Sequence, residues 1–139
     1  MKLMVGVKAL IVNDGRVLII REASYEEGTN LGKWDVPGGR INTKEFLDEA
    51  LRREVWEEVG LEVIPGSVLY VQENFPTIQG EECHVVRIHY LTTLTKDAQV
   101  VLSRDHDAYA WVTAEDLSGR EYVEGLAEGI SNYFANGVQ

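Results

Sequence analysis

The chain has 139 residues and a formal net charge of −10 at pH 7. This length suits one domain with its own core, so we predict a single domain over residues 1–139. A surface this acidic repels nucleic acid polymers and anionic membranes, which excludes both as expected partners. A small phosphate substrate remains compatible with the charge if a cation bridges it to carboxylates.

The single cysteine, Cys83, excludes an internal disulfide framework and makes a reducing, cytoplasmic location the default. We interpret Cys83 as a small core residue, because its neighbour His84 would point to the opposite face of a strand. No stretch is apolar and long enough to cross a bilayer.

The first part of the chain predicts a hairpin and a loop. Residues 3–12 form an apolar strand pattern, the Asn-Asp-Gly sequence after it is a strong turn signal, and residues 16–21 return as a second strand. Polar residues 22–33 predict a loop. A short extended piece over residues 34–37 follows, because the residue before a proline favours extended geometry.

The middle of the chain predicts a helix over residues 44–59. Asn42 and Glu45 have the spacing of a capping box at its start. Gly60 is suited to a left-handed residue at its end. Just before this helix, Gly38 and Gly39 open a loop where a phosphate or metal could approach the backbone closely, although an ordinary tight turn would also use two glycines.

The remainder predicts strands over residues 67–75 and 83–94, a short strand over 109–112, a capped helical turn over 113–117 and a helix over 122–135. Strands and helices in this order indicate the α/β class, with a mixed sheet covered by helices on both faces.

The predicted central helix carries Glu54, Glu57 and Glu58 at positions i, i+3 and i+4, which places them on one face. Three ionised carboxylates repel one another unless a partner offsets their charge. Arg53 supplies part of that charge. Mg²⁺, or Mn²⁺ in its place, would offset it more completely, because such cations prefer oxygen ligands. We expect the acidic face to look outward, opposite an apolar face formed by Phe46 or Leu47, Ala50, Leu51, Val55 and Val59.

Residues 39–61, GRINTKEFLDEALRREVWEEVGL, resemble the Nudix box. The match comprises a glycine, a glutamate six residues later and the closing run REVWEEVGL, and every fixed position of the pattern is met. The flanking sequences GKWDVPGG and AWVTAEDL are also similar to those of the family. The resemblance spans most of the chain.

The resemblance implies an α/β/α sandwich and hydrolysis of a nucleoside diphosphate linked to another group. It also implies that Glu54, Glu57, Glu58 and the backbone carbonyl of Gly39 bind the metal, whereas Arg53 and Glu45 orient the loop and helix. The general base would be Glu54 or Glu58, or else Asp105 or Asp107 on a later loop.

Several other side chains are candidates for substrate contacts. Gly38 and Gly39, with Arg21, Lys33 and Arg87, are candidates for holding phosphates. Trp34 is interpreted as packing beside the glycines, with stacking on a base as the alternative. His106 is expected to be a solvated loop residue, and His84 and His89 surface or strand residues. Tyr70 and Phe75 are expected in the core, although either could line a base pocket.

The resemblance leaves three substrate classes open. A MutT-like nucleoside triphosphate pyrophosphohydrolase is the first, because the small size and single box fit it. An ADP-ribose pyrophosphatase is the second, since Pro76 lies fifteen residues beyond Leu61. A diadenosine polyphosphate hydrolase is the third. A catalytically silent nucleotide-binding module is the alternative from another class, and a homodimer remains open.

Overall fold

The computed structural model describes residues 1–23 and 31–136. In chain order its elements are β1 (Lys2–Asn13), β2 (Arg16–Glu22), β3 (Trp34–Asp35), β4 (Gly38–Arg40), α1 (Leu47–Val59), β5 (Val63–Asn74), β6 (Thr77–Ile78), β7 (Glu81–Leu94), β8 (His106–Val112), a 3₁₀ turn (Ala114–Asp116) and α2 (Leu126–Ala135). Most of the predicted loop at 22–33, residues 24–30, lies outside the described residues.

The sheet is mixed, as predicted, with β1 at its centre. β1 pairs in parallel with β7 and antiparallel with β2 and β4. β7 in turn pairs antiparallel with β5, and β2 pairs antiparallel with β3 and β8. The register that matters for the site places Lys8 of β1 opposite Gly38 of β4 on one side and opposite His89 of β7 on the other.

Each face of the sheet packs against one helix, which confirms the predicted sandwich. Alternate residues of β1 point to opposite faces, as the two-residue period of a strand requires. Val7, Ala9 and Ile11 belong to the cluster that buries α1, whereas Leu10 belongs to the cluster that buries α2. Among the described residues, no helix is long and apolar enough to span a bilayer.

α1 begins at Leu47, three residues later than predicted. Lys44 has a left-handed φ of 67°, which stops a helix from starting before it. Glu45 still accepts the Asn42 N–H at 2.9 Å, but this bond closes the turn ahead of the helix. Phe46, 75% exposed, is therefore outside the apolar face of the helix. Gly60 ends the helix with φ 69°, as predicted.

α2 begins at Leu126, four residues later than predicted, after Gly125 with φ 81°. The residues before it are held to the sheet instead. The N–H of Trp34 donates to the Glu121 carbonyl at 2.8 Å, and the N–H of Val123 donates to the Trp34 carbonyl at 3.0 Å. This segment therefore fixes β3, which carries Trp34 and Asp35, against the C-terminal part of the fold.

Candidate active site

Burial of one face of α1 positions its acidic edge against the glycine strand. Ala50, Leu51, Val55 and Val59 are all fully buried in the core. This anchors the helix so that Glu54 and Glu58 face β4.

Arg53 holds the acidic edge of α1 in place. Its Nε and Nη2 donate to the two Glu45 carboxylate oxygens at 2.7 and 3.0 Å. Its Nη1 donates to Glu54 and Glu57 at 3.1 Å each, and Nη2 also reaches the Arg40 carbonyl at 3.1 Å. Bonding to the guanidinium, together with the Asn42 N–H, lowers the pKa of Glu45 to about 2. One arginine thus ties the helix to the strand and to the turn before it.

Gly38 and Gly39 lie in the short strand β4 rather than in the predicted loop. Gly38 has φ 145°, and a Cβ there would lie 2.1 Å from the Val7 carbonyl oxygen. A Cβ on Gly39 would lie 2.6 Å from the Glu54 carboxyl carbon. Both positions therefore require glycine, because backbone atoms approach Gly38 closely and the Glu54 carboxylate approaches Gly39 closely.

Glu58 differs most from the sequence prediction. The acidic face was expected to look outward, and this is correct for Glu57, whose side chain is 55% exposed. Glu58 is instead partly buried, and its Oε1 accepts the Gly38 N–H at 2.9 Å. Burial raises its pKa to about 7, although nearby Lys8 and the Gly38 N–H act in the opposite direction. Burial also raises the pKa of Glu54.

A cavity of about 340 Å³ opens in front of Glu58. Gly38 forms part of its wall, and its titratable lining consists of Lys8, Glu22, Asp35, Glu58, Asp105 and His106. We call this the catalytic cavity. Asp105, the alternative general base, thus shares it with Glu58.

Sequence reasoning missed Lys8, Glu22 and Asp35 as site residues. Lys8 is only 8% exposed, and its Nζ lies 3.0 Å from Asp35 Oδ2 and 3.5 Å from the Gly38 carbonyl oxygen. Burial, followed by repulsion from Asp35, raises the pKa of Glu22. The available signal was a lysine inside the apolar run MVGVKALIV, since a charged residue amid such a strand needs a buried partner.

His106 is not the solvated loop residue that was expected. It is the first residue of β8 and is partly buried against the catalytic cavity. Within the described residues its Nδ1 is buried without a hydrogen-bond partner. Burial lowers its pKa. It therefore stays neutral near pH 7 and presents an imidazole to the cavity.

The two arginines predicted to contact phosphate lie in different places. Arg21 pairs with Asp107 at 2.7 Å, and its guanidinium carbon lies 5.7 Å from the centre of the Trp34 ring. The Arg120 guanidinium lies over the same ring, 4.9 Å from its centre. The Trp34 ring therefore contacts two arginine side chains in addition to its packing contacts. Arg87 lies away from the catalytic cavity, beside Gly39 in a separate cavity.

The strand histidines and aromatic residues have distinct environments. His89 is 2% exposed and stacks on Tyr70, with ring centres 4.1 Å apart. His84 pairs with Glu73 at 2.7 Å. Phe75 is 60% exposed against the His84 ring, so its expected core position is wrong. Cys83 is buried at 2% exposure, as predicted.

The predicted metal ligands fit a divalent cation in their chemistry and lie along one edge, but they are not drawn together around one point. Across residues 1–23 and 31–136, no three His, Cys, Asp or Glu side chains form a ready metal cage. Arg53 bridges Glu54 and Glu57, and Glu58 is turned to Gly38. The oxygen donors nevertheless line one edge, and Glu54 occupies the space that a side chain at Gly39 would fill. This donor set suits a hard cation.

The fold and the box together define a phosphoanhydride hydrolase site on an α/β sandwich. The NUDIX domain model matches residues 2–133, and the chain belongs to the Nudix family. It is accordingly a hydrolase that acts on phosphorus-containing acid anhydrides.

Among individual proteins, the chain is 30% identical over 115 residues to the nucleoside triphosphatase NudI of Klebsiella pneumoniae, covering 78% of this chain and 80% of that one. It is 31% identical to a MutT protein from Methanosarcina mazei, with a TM-score of 0.83 and coverage of 99% and 97%. A MutT Nudix hydrolase from Burkholderia pseudomallei is 27% identical, with a TM-score of 0.79 and coverage of 94% and 97%.

Proposed function

We propose that this protein is a nucleoside triphosphate pyrophosphohydrolase. Water cleaves the phosphoanhydride between the α and β phosphates: its oxygen bonds to one of the two phosphorus atoms, the bond from that phosphorus to the bridging oxygen breaks, and the products are a nucleoside monophosphate and pyrophosphate. The observation that carries the proposal is the placement of Glu58, held by the Gly38 N–H at the wall of a cavity shared with Asp105. The NudI and MutT relatives support the triphosphate as substrate.

The proposed cofactor is Mg²⁺, with Mn²⁺ as a substitute. Its proposed ligands are Glu54, Glu57, Glu58 and the backbone carbonyl of Gly39. When bound, such a cation neutralises the negative charge that develops on phosphoryl oxygens. Glu57 can exchange its ion pair with Arg53 for the cation, since its side chain is 55% exposed and, within residues 1–23 and 31–136, Arg53 is its one ion-pair partner.

The chain's own residues provide the proton acceptor. Glu58 is the first choice of general base, because it lies in the catalytic cavity and its position is fixed by a hydrogen bond from the backbone. Glu54 is held by Arg53 instead. Asp105 lines the same cavity from the β8 side and remains the alternative. Neutral His106 beside it is able to donate or accept one hydrogen bond to substrate.

Arg53 is proposed to act through the other residues. It contacts three carboxylates and a carbonyl of the preceding strand, and it leaves no donor aimed at the cavity lining. Its role is therefore to position Glu54 and the glycine strand rather than to bind phosphate.

A substrate panel tests the proposal. The protein is incubated with nucleoside triphosphates, ADP-ribose and diadenosine polyphosphates, with Mg²⁺ or EDTA, and products are identified by ³¹P NMR. We expect pyrophosphate from triphosphates, and only with the cation. Faster cleavage of ADP-ribose or of a diadenosine polyphosphate would reassign the substrate. Nucleotide binding without any product would identify a silent binding module.

A cytoplasmic location belongs to the same proposal. It is supported by the single cysteine, Cys83, which is buried and forms no disulfide.

A further inference from the structure

A second cavity, of about 200 Å³, borders Lys8, which also lines the catalytic cavity. Among the residues that the structure describes, its lining contains three cationic side chains, Lys8, Arg40 and Arg87, and no carboxylate. The catalytic cavity, by contrast, is lined by four carboxylates and shares Lys8 with it. The whole chain has 13 basic and 23 acidic residues. A cavity lined by three basic residues and no acidic one therefore differs from the chain as a whole. We call this second space the basic cavity.

Glycine backbone forms the wall of the basic cavity nearest the site. Gly6 and Gly39 both line it, and a Cβ on Gly6 would lie 3.2 Å from the Gly39 carbonyl oxygen and 3.9 Å from Arg87 Cγ. A larger side chain at Gly6 would therefore fill the space between the glycine strand and Arg87.

Two cations of the basic cavity, Lys8 and Arg87, are held in place by hydrogen-bonding partners, and the charge of the cavity is only partly compensated. Lys8 is ion-paired with Asp35 at 3.0 Å. Arg87 donates to the neutral amide oxygen of Asn74 at 3.0 Å, which orients its guanidinium without neutralising it. Within residues 1–23 and 31–136, neither Arg40 nor Arg87 has an ion pair with a carboxylate.

We propose that the basic cavity is the subsite for the two terminal phosphate groups of the triphosphate, which become the pyrophosphate product. This inference rests on the proposed function. Arginine presents several N–H donors in a planar fork that matches phosphoryl oxygens, and such charge-assisted bonds are strong. Because Lys8 borders both cavities, a phosphate chain passing it reaches from the carboxylates of one to the arginines of the other.

Pyrophosphate binding to the metal-free protein tests the subsite. Inorganic pyrophosphate is titrated calorimetrically in EDTA, so that no cation contributes. We expect the wild type to bind at millimolar concentration or below. Arg87→Gln and Arg40→Gln should each weaken binding by roughly 10-fold, the loss expected for one charge-assisted hydrogen bond. The matched control is Arg52→Gln, an exposed residue of α1 that should change binding less than about 2-fold.

Gly6→Val separates shape from charge. It leaves the net charge unchanged but fills the basic cavity, so we expect pyrophosphate binding to be lost while thermal unfolding remains cooperative. The proposal is overturned if the wild type shows no binding at millimolar pyrophosphate. It is also overturned if Arg87→Gln and Arg40→Gln bind like wild type, or if Arg52→Gln loses as much as they do.

Failure of the subsite and failure of the proposed function are distinguishable. If wild type turns over triphosphate but pyrophosphate binding is unchanged by Arg40→Gln and Arg87→Gln, the subsite is refuted and the proposed function stands. If pyrophosphate binding depends on both arginines but no triphosphate is turned over, the subsite stands and the proposed function is refuted.

Discussion

Replacing Gly39 with alanine should impair turnover far more than folding. The added Cβ would lie 2.6 Å from the Glu54 carboxyl carbon and Oε2, and 2.7 Å from Oε1. Ordinary contacts between such atoms are about 3.5 Å, so the carboxylate must retreat by about 1 Å. A displacement of about 1 Å at a catalytic group costs on the order of 100-fold in rate. The retreating group is the end of a side chain, so we expect the free energy of unfolding to change by less than about 1 kcal/mol.

Gly38→Ala is the matched control with the opposite expectation. Its Cβ would lie 2.1 Å from the Val7 carbonyl oxygen and 2.7 Å from the Lys8 Cα, at a backbone φ of 145°. Backbone atoms cannot rotate away, so β4 must separate from β1. We expect a loss of about 3 kcal/mol or more in the free energy of unfolding.

The assay for this pair combines kcat/KM for a nucleoside triphosphate with urea unfolding of both variants. Full turnover in Gly39→Ala would refute the placement of Glu54 against this glycine. Unfolding of Gly39→Ala as severe as that of Gly38→Ala would refute the distinction between side-chain and backbone contact.

Three further outcomes are expected. His89 is buried and its pKa is lowered from 6.5 to about 4, mainly by burial, so the unfolded chain binds the proton more tightly. The stability that neutral His89 contributes is present above pH 6.5 and falls by about 3 kcal/mol as pH drops from 6.5 to 4. Urea unfolding across this range should show the fall in wild type, and an equal fall in His89→Gln would contradict it. Arg53→Lys should lower kcat/KM by roughly 100-fold, because lysine cannot bond both Glu45 oxygens and Glu54 together; wild-type kinetics would exclude the positioning role. Leu51→Ala, at a fully buried position of α1, should cost about 2–5 kcal/mol in urea unfolding, and a loss below about 1 kcal/mol would show that this face does not anchor the helix.

The sequence was sufficient for features set by local periodicity. The spacing of Ala50, Leu51, Val55 and Val59 predicts which side of α1 is buried, and the structure confirms it. Gly60 ends the helix where a left-handed residue was predicted. These features depend on neighbours within a few residues, so the local amino-acid sequence is enough to predict them.

Features set by strand register were not predictable in this way. Lys8 enters the site only because β1 places it opposite Gly38, thirty residues away in the chain. The burial of Glu58 likewise depends on how closely the glycine strand approaches α1, whereas helical spacing alone made Glu54, Glu57 and Glu58 equivalent. The start of α1 was misplaced because Asn42 and Glu45 do form the predicted bond, but around a turn that left-handed Lys44 keeps out of the helix.

Hydrolysis in ¹⁸O-labelled water by wild type, Glu58→Gln and the exposed control Glu62→Gln would decide whether this edge of α1 is the reaction centre. With Mg²⁺ and a nucleoside triphosphate, wild type and Glu62→Gln should form nucleoside monophosphate and pyrophosphate with one labelled oxygen between the two products, and Glu58→Gln should be slower by orders of magnitude while remaining folded. Wild-type turnover in a folded Glu58→Gln variant would contradict the assignment of Glu58, and products without the label would contradict attack by water.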